Sequence, residues 1–146
     1  MCGIIGYTNN VSNNQSVIEN MLQKISHRGP DDQGYYQDSK ITLGMRRLSI
    51  IDLDSGNQPL FNEDKSLILV FNGEIYNYQV LRAKLISLGH TFTTNSDSEV
   101  IIHGYEEYGN DIVNHLRGMF AFAIYNIHTK ALFIARDIFG IKPLFY

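Results

Sequence analysis

Apolar residues along the chain follow two periods. Val17, Ile18, Met21, Leu22 and Ile25 recur at the spacing of one helix face, as do Leu81, Leu85 and Leu88, and then Ile101, Tyr105 and Tyr108; three amphipathic helices are predicted. The third carries a start signal, because Ser96-Asp97-Ser98-Glu99 matches a capping box in which Ser96 caps the helix and Glu99 reaches back to it, with Asp97 in the first turn. Between the helices, Leu67 to Phe71, Met119 to Tyr125 and Ala131 to Ala135 are apolar at nearly every position, as strands buried on both faces are. Ile41 to Ser49 reads as a further strand whose alternation sends Arg46 and Arg47 to opposite faces.

Sheets covered on both faces need a layer on either side. With about three helices available, two stacked sheets with helices outside them is the economical arrangement. The expected fold is therefore α+β, a four-layer αββα sandwich of two mainly antiparallel sheets. No repeat, low-complexity tract or linker divides the sequence, so residues 1–146 read as one domain. The final run, Ile141 to Tyr146, reads as the start of an apolar strand, whereas chain ends are usually polar and loosely held. That pattern suggests a C-terminally truncated domain, and an apolar edge at Leu144, Phe145 and Tyr146 that would favour a homodimer or aggregation.

Composition narrows the function. At 44% hydrophobic and 18% charged residues over 146 positions, the chain is globular in type. A formal charge of -3, with no basic run longer than Arg46-Arg47, excludes a phosphate-backbone partner. The longest apolar run, Met119 to Tyr125, falls far short of the roughly 20 residues of a membrane helix, so no membrane partner and a cytoplasmic location are expected. The single cysteine forms no internal disulfide, and His27, His90, His103, His115 and His128 show no close pair along the sequence; no metal is expected on that spacing. No phosphate-binding loop of the G-x-x-x-x-G-K type occurs.

That cysteine, Cys2, stands directly behind the initiator Met. A lone cysteine is ordinarily an inert small core residue. Removal of Met1, however, would leave a thiol and a free α-amine on one residue, and an amine titrating near pH 8 can serve the thiol as a general base. The other polar positions are ambiguous by themselves. Asn72-Gly73 after an apolar run reads as a turn, Arg47 as a solvated arginine, and Asp97 as a favourable acid at a helix N-terminus.

Seven ordered segments remove much of that ambiguity: Met1-Cys2-Gly3-Ile4, His27-Arg28-Gly29-Pro30-Asp31, Arg47 to Asp52, Asn72-Gly73-Glu74-Ile75-Tyr76-Asn77, Ser96 to Glu99, Gly118 to Ala123, and Arg136-Asp137 to Tyr146. With them the chain resembles, over essentially its whole length, the class II glutamine amidotransferases, which are N-terminal-nucleophile hydrolases, and within them the glutaminase domains of the asparagine-synthetase branch. The resemblance implies hydrolysis of the glutamine side-chain amide to glutamate and ammonia through a Cys2 thioester. It assigns Asn72 and Gly73 to the oxyanion hole, Arg47 to the glutamine α-carboxylate, Asp97 with help from Glu74 to the α-ammonium, and the backbone near Ile50 and Ile51 to the rest of the amino-acid pocket. The His27 to Asp31 loop would shape the pocket. No cofactor is implied for this domain; ATP and Mg2+ would serve a C-terminal synthetase domain, absent from this chain, that makes asparagine from aspartate. Three alternatives remain open: the same glutaminase chemistry with another ammonia acceptor, a catalytically silent module that retains Met1, and a redox or structural thiol.

Overall fold

The first sheet is built on β3 (Ile41–Arg47), which lies between β1 (Gly3–Thr8) and β2 (Asp32–Gln37). In this computed structural model, which describes residues 2–8, 14–48 and 57–146, a second sheet has the order β4 (Leu60–Phe61), β5 (Leu67–Ile75), β6 (Gly118–Asn126), β7 (Leu132–Arg136). Every strand pair is antiparallel. Ser49, the predicted end of β3, and Ile51 lie outside the described residues.

Strand alternation divides the apolar side chains between two cores. Ile41, Leu43 and Met45 of β3 meet Ile68 and Val70 of β5 and Ala123 and Tyr125 of β6, with Ile4 and Tyr36 at the margin; this layer holds the sheets together. The alternate residues Leu67, Leu69, Phe71 and Ile75, with Phe120, Phe122 and Ile124, face outward onto α2 (Tyr78–Ser87), α3 (Glu99–Tyr108) and the short α4 (Ile112–His115). On the other side α1 (Asn14–Lys24) lays Ile18 and Leu22 over β3. It sits close because Gly44 has no side chain there: a Cβ at Gly44 would lie 2.9 Å from Ile18 Cδ1. The layer order is α1, first sheet, second sheet, then α2 to α4, the predicted αββα sandwich. Full burial of each Leu, Ile or Phe in these layers contributes about 1.5–3 kcal/mol, the main reason the sheets stack. No helix of the described residues is long and apolar enough to cross a membrane.

One end of the inter-sheet layer is closed by a polar plug. Asp38, in the turn between β2 and β3, accepts hydrogen bonds from Tyr125 Oη at 3.0 Å, Tyr36 Oη at 3.3 Å and the Lys130 ammonium at 3.2 Å, and from the Lys40 and Ile41 amides at 2.7 and 3.0 Å. Burial works to raise the Asp38 carboxyl, but these donors hold it down at about 2, and the carboxylate in turn reinforces burial in pushing Tyr125 up to about 12.

Four sequence expectations are corrected. Ala131 to Ala135 is not buried on both faces: β7 is an edge strand bonded only to β6, with Leu132 and Ile134 44% and 38% exposed. Leu88 is half exposed at the C-terminal end of α2, where the chain leaves the helix, and belongs to no core face. Ile141 to Tyr146 forms no strand, and Phe145 and Tyr146 stand in solvent.

The capping box also fails. Helix α3 begins at Glu99, and Ser98, its N-cap, makes no side-chain capping bond. Ser96 Oγ instead meets Ser98 Oγ at 2.6 Å and accepts from the Ser98 amide at 3.3 Å. The buried Glu99 carboxylate takes four bonds from the incoming loop, from the amides of Thr93 and Thr94 (both 2.8 Å) and from their hydroxyls (3.0 and 2.6 Å). Burial alone would raise its pKa; the neighbouring His103 imidazole and the hydrogen bonds from Thr93 and Thr94 outweigh it and hold the group at about 2.

Glu99→Ala is therefore expected to lower unfolding free energy by about 2–4 kcal/mol in urea titrations, because it strands several buried donors; a capping role alone would cost about 1 kcal/mol. A carboxylate depressed on folding contributes stability above its unfolded value near 4.5 and loses it as pH falls through about 2. The gap between wild type and variant should accordingly close across that acidic window.

Candidate active site

The other end of the inter-sheet layer opens, and there the inward-facing positions change from apolar to polar. Along β5 the face that begins Ile68, Val70 continues as Asn72 and Glu74; along β3, Ile41, Leu43 and Met45 are followed by Arg47; and Cys2, just ahead of β1, stands two residues before the inward-facing Ile4. These residues line one cleft with Gly73, Asp97, Leu48, Gln58, Phe71, Ser96, Met119, Ile141 and Lys142. The fold thus brings together every described residue that the sequence singled out for substrate chemistry: Cys2, Arg47, Asn72, Gly73, Glu74 and Asp97.

Cys2 is partly buried and held from two sides. The Leu48 amide donates to its sulfur at 3.4 Å, with the thiol 3.7 Å from the Leu48 carbonyl. Arg28 Nε donates to the Cys2 carbonyl at 3.1 Å. The His27 to Asp31 segment thereby acquires a defined role, since His27 and Arg28 lie in a single 3-10 turn, Ser26–Arg28, and the arginine fixes the backbone of the nucleophile candidate. An N–H aimed at sulfur strengthens as negative charge develops there.

Asn72-Gly73 is not a turn. Both residues lie inside β5, paired with Ala121 and Phe120 of β6. Glycine is required at 73 because a Cβ would sit 2.2 Å from the Met119 carbonyl oxygen and 2.8 Å from Phe120 Cα. Beyond the two-residue β4, the other edge of β5 meets side chains rather than a strand. The Phe71 amide donates to Gln58 Oε1 and the Ile75 amide to Asp97 Oδ2, both at 2.7 Å. Amides two residues apart in a strand point the same way, so the Gly73 N–H lies on this edge, between Gln58 and Asp97 and facing the cleft. The Asn72 side chain and that N–H are adjacent donors at the cleft wall.

Arg47 is buried, not solvated, and Nη1 donates to Asn57 Oδ1 at 2.7 Å. Asp97 is buried opposite, and its neighbour is Glu74; burial raises its carboxyl first of all, the Ile75 amide pulls it back down, and the charge of Glu74 raises it again, with a net upward shift. A cationic wall and an acidic wall in one cleft suit a zwitterionic amino acid. Ile51 lies outside the described residues.

Sequence reasoning missed Leu48, Gln58 and Lys142. Gln58 acts through a contact that no motif marks, and Leu48, inside the Arg47 to Asp52 segment, acts through its backbone, which its side chain does not signal. Lys142, only 4% exposed in the cleft wall, is delivered by the segment after β7, read from sequence as core strand. That segment is a turn wound on Asp137, whose carboxylate accepts from the Phe120, Ile141 and Lys142 amides at 3.2, 2.9 and 3.0 Å, while Arg136 Nε donates to the Lys142 carbonyl at 2.7 Å.

Residues 1–146 match the family described as the glutamine amidotransferase domain. The chain is 48% identical to asparagine synthetase [glutamine-hydrolyzing] 1 of Bacillus subtilis, covering all of this chain and 24% of that protein, and 45% identical to asparagine synthetase [glutamine-hydrolyzing] 2 of Arabidopsis thaliana, covering 99% and 25%. It therefore spans about a quarter of the length of these relatives. Among solved structures, the glutamine phosphoribosylpyrophosphate amidotransferase of B. subtilis superposes with a TM-score of 0.73 at 22% identity, over 97% of this chain and 38% of that one, and shares the fold.

The Asp97 environment predicts a trade of stability against charge. A carboxyl whose pKa rises on folding contributes stability below its unfolded value near 3.8 and loses it as pH climbs through the folded value. Asp97→Asn keeps an oxygen acceptor for the Ile75 amide and removes the buried charge. In the ligand-free protein it should melt at a higher temperature than wild type at pH 7, with the difference vanishing below pH 3.8; equal melting at pH 7 would contradict the assignment.

Proposed function

We propose, since the chain belongs to the glutamine amidotransferase domain family, that it hydrolyses the side-chain amide of glutamine to glutamate and ammonia, with Cys2 as nucleophile after removal of Met1. The observation that carries this reading is the convergence of Cys2, Arg47, Asn72, Gly73, Glu74 and Asp97 on one cleft at the open end of the inter-sheet layer.

Arg47 takes the α-carboxylate and Asp97, with Glu74, the α-ammonium, so the side-chain amide extends toward Cys2. A bound ammonium also supplies the charge that the buried Asp97 lacks. Sulfur attacks the amide carbon while the thiol proton passes to the α-amine of Cys2. The oxygen that becomes negative receives the Asn72 side-chain N–H and the Gly73 backbone N–H, each worth about 3 to 4 kcal/mol in the transition state. The protonated α-amine of Cys2 then gives its proton to the departing nitrogen, and ammonia leaves a glutamyl thioester. Water, losing a proton to the same amine, attacks the thioester and releases glutamate and the thiol. Every proton has a donor and an acceptor in this scheme, so no cofactor is needed for the step.

Residues 1–146 on this reading are the glutaminase domain of a longer, cytoplasmic protein, in which a C-terminal synthetase domain uses ATP and Mg2+ to combine the ammonia with aspartate to give asparagine. The similarity to asparagine synthetases of B. subtilis and A. thaliana, each matched over about a quarter of its length, supports that acceptor.

The test is intact mass together with glutamate release from glutamine. Protein lacking Met1 should be active, and Cys2→Ala should lose at least about 1,000-fold in rate. Asn72→Ala should lower kcat about 100- to 1,000-fold. Arg47→Lys should raise KM for glutamine about 10- to 100-fold, because an ammonium cannot reproduce the guanidinium fork. Folded protein lacking Met1 that releases no glutamate would overturn the proposal.

A further inference from the structure

Away from the cleft, on the outer side of the second sheet, four side chains from three places in the chain converge: Glu63 in the turn between β4 and β5, His90 after α2, and His103 and Glu106 on α3. No sequence spacing marks them, since the histidines stand thirteen positions apart, yet their rings lie 5.0 Å from each other.

From the coordinating atoms we infer a binding site for one divalent cation of the zinc class. His103 Nδ1 lies 3.0 Å from Glu106 Oε2 and 3.4 Å from Glu63 Oε2; His90 Nδ1 lies 3.5 Å from Glu63 Oε1 and 3.6 Å from Glu106 Oε2. One donor atom from each residue can be chosen so that all lie within 4.8 Å of one another. Ligands placed about 2.0–2.1 Å from a tetrahedral zinc ion are separated by about 3.3 Å; with one oxygen taken from Glu63, three of these separations, 3.0, 3.4 and 3.6 Å, are edges of such a tetrahedron to within a few tenths of an ångström. Two imidazoles and two carboxylates select zinc-like ions over calcium or magnesium, which favour all-oxygen sets.

A second, independent feature is the outer ring, because groups beyond the four hold His90, Glu63 and Glu106 in the way metal ligands are usually fixed. His90 Nε2 contacts Glu107 Oε1 at 2.8 Å, and the buried His103 presents Nε2 to Glu99 Oε1 at 3.5 Å, beyond hydrogen-bond reach. The Thr91 amide donates to Glu63 Oε1 at 3.0 Å, and Asn62 Nδ2 to Glu106 Oε1 at 2.8 Å. Two histidines thus face four carboxylates, those of Glu63, Glu99, Glu106 and Glu107, an excess of negative charge that a dication offsets better than imidazolium alone. The role is structural. The ion ties the β4–β5 turn and α3 to the start of the loop that carries Asp97 into the cleft.

The experiment uses the purified, untagged protein carrying Cys2→Ser, so that the thiol cannot bind metal, titrated with Zn2+ and separately with Co2+. One equivalent of Zn2+ should bind and raise the melting temperature, and Co2+ should give the intense visible bands of tetrahedral coordination. His90→Asn, whose metal-free form should melt with the metal-free parent, should weaken Zn2+ binding at least about 10-fold and abolish those bands. Glu106→Gln serves as a second variant should His90→Asn fold poorly. Absence of stoichiometric binding, a weak octahedral Co2+ spectrum, or unchanged binding in a folded variant would overturn the inference.

Discussion

The structure depends on a period of two. The apolar layer between the sheets is made by every second residue of β3, β5 and β6, and a shift of any of these strands by one position would turn its whole inward set outward. Pairing of β5 with β6 over nine residues, Leu67–Asn126 to Ile75–Gly118, makes that slip costly across the longest ladder among the described residues. The same alternation that places Ile68 and Val70 in the layer places Asn72 and Glu74 in the cleft, and the one that buries Leu43 and Met45 sends Arg47 there. Site and core are successive stretches of the same strand faces, so the energy that fixes one fixes the other.

Edges supply the rest. Because β4 pairs with β5 only at Leu60–Leu69 and Phe61–Ile68, the edge of β5 beyond it is free to take side-chain partners, and Gln58 and Asp97 do so on either side of Gly73. Close packing of Gly73 against Met119 brings the two sheet strands near enough that the donor at 73 is rigid. A buried acid on one side of it and a buried guanidinium across the cleft are tolerated because neither lacks partners.

The helices at 17–25, 81–85 and 101–108, the αββα layering and the apolar strands were legible in the sequence because each rests on a local period. So were the residues of the cleft, but only through the ordered motifs, since Asn72-Gly73 by itself signals a turn and the actual reason for glycine, a neighbouring backbone at Met119, is not local. Ser96 to Glu99 matched a cap by pattern, yet Thr93 and Thr94 offered Glu99 more donors than the helix end did. Leu132 and Ile134 looked like core because an edge strand and a central one have the same composition when the missing neighbour is not in view. Lys142 and Gln58 entered the site through a turn and a side-chain-to-amide bond, and the His90–His103 pair through the packing of α3 against the connection before it; none of these leaves a spacing to read.

The plug at Asp38 bears on how such a domain can change over evolutionary time. It closes one end of the inter-sheet layer with a charge network tied to Tyr36, Tyr125 and Lys130, so larger side chains in the layer cannot spread the sheets there and would displace the open end instead, where Arg47 and Asn72 stand. Adaptation to a hotter or colder habitat by repacking this layer would therefore reshape the cleft at the same stroke. Lineages have a safer route in the outer layers, where α1 or the α2–α3 face can be remodelled while the distance between the two sheets, and with it the width of the cleft, is left alone.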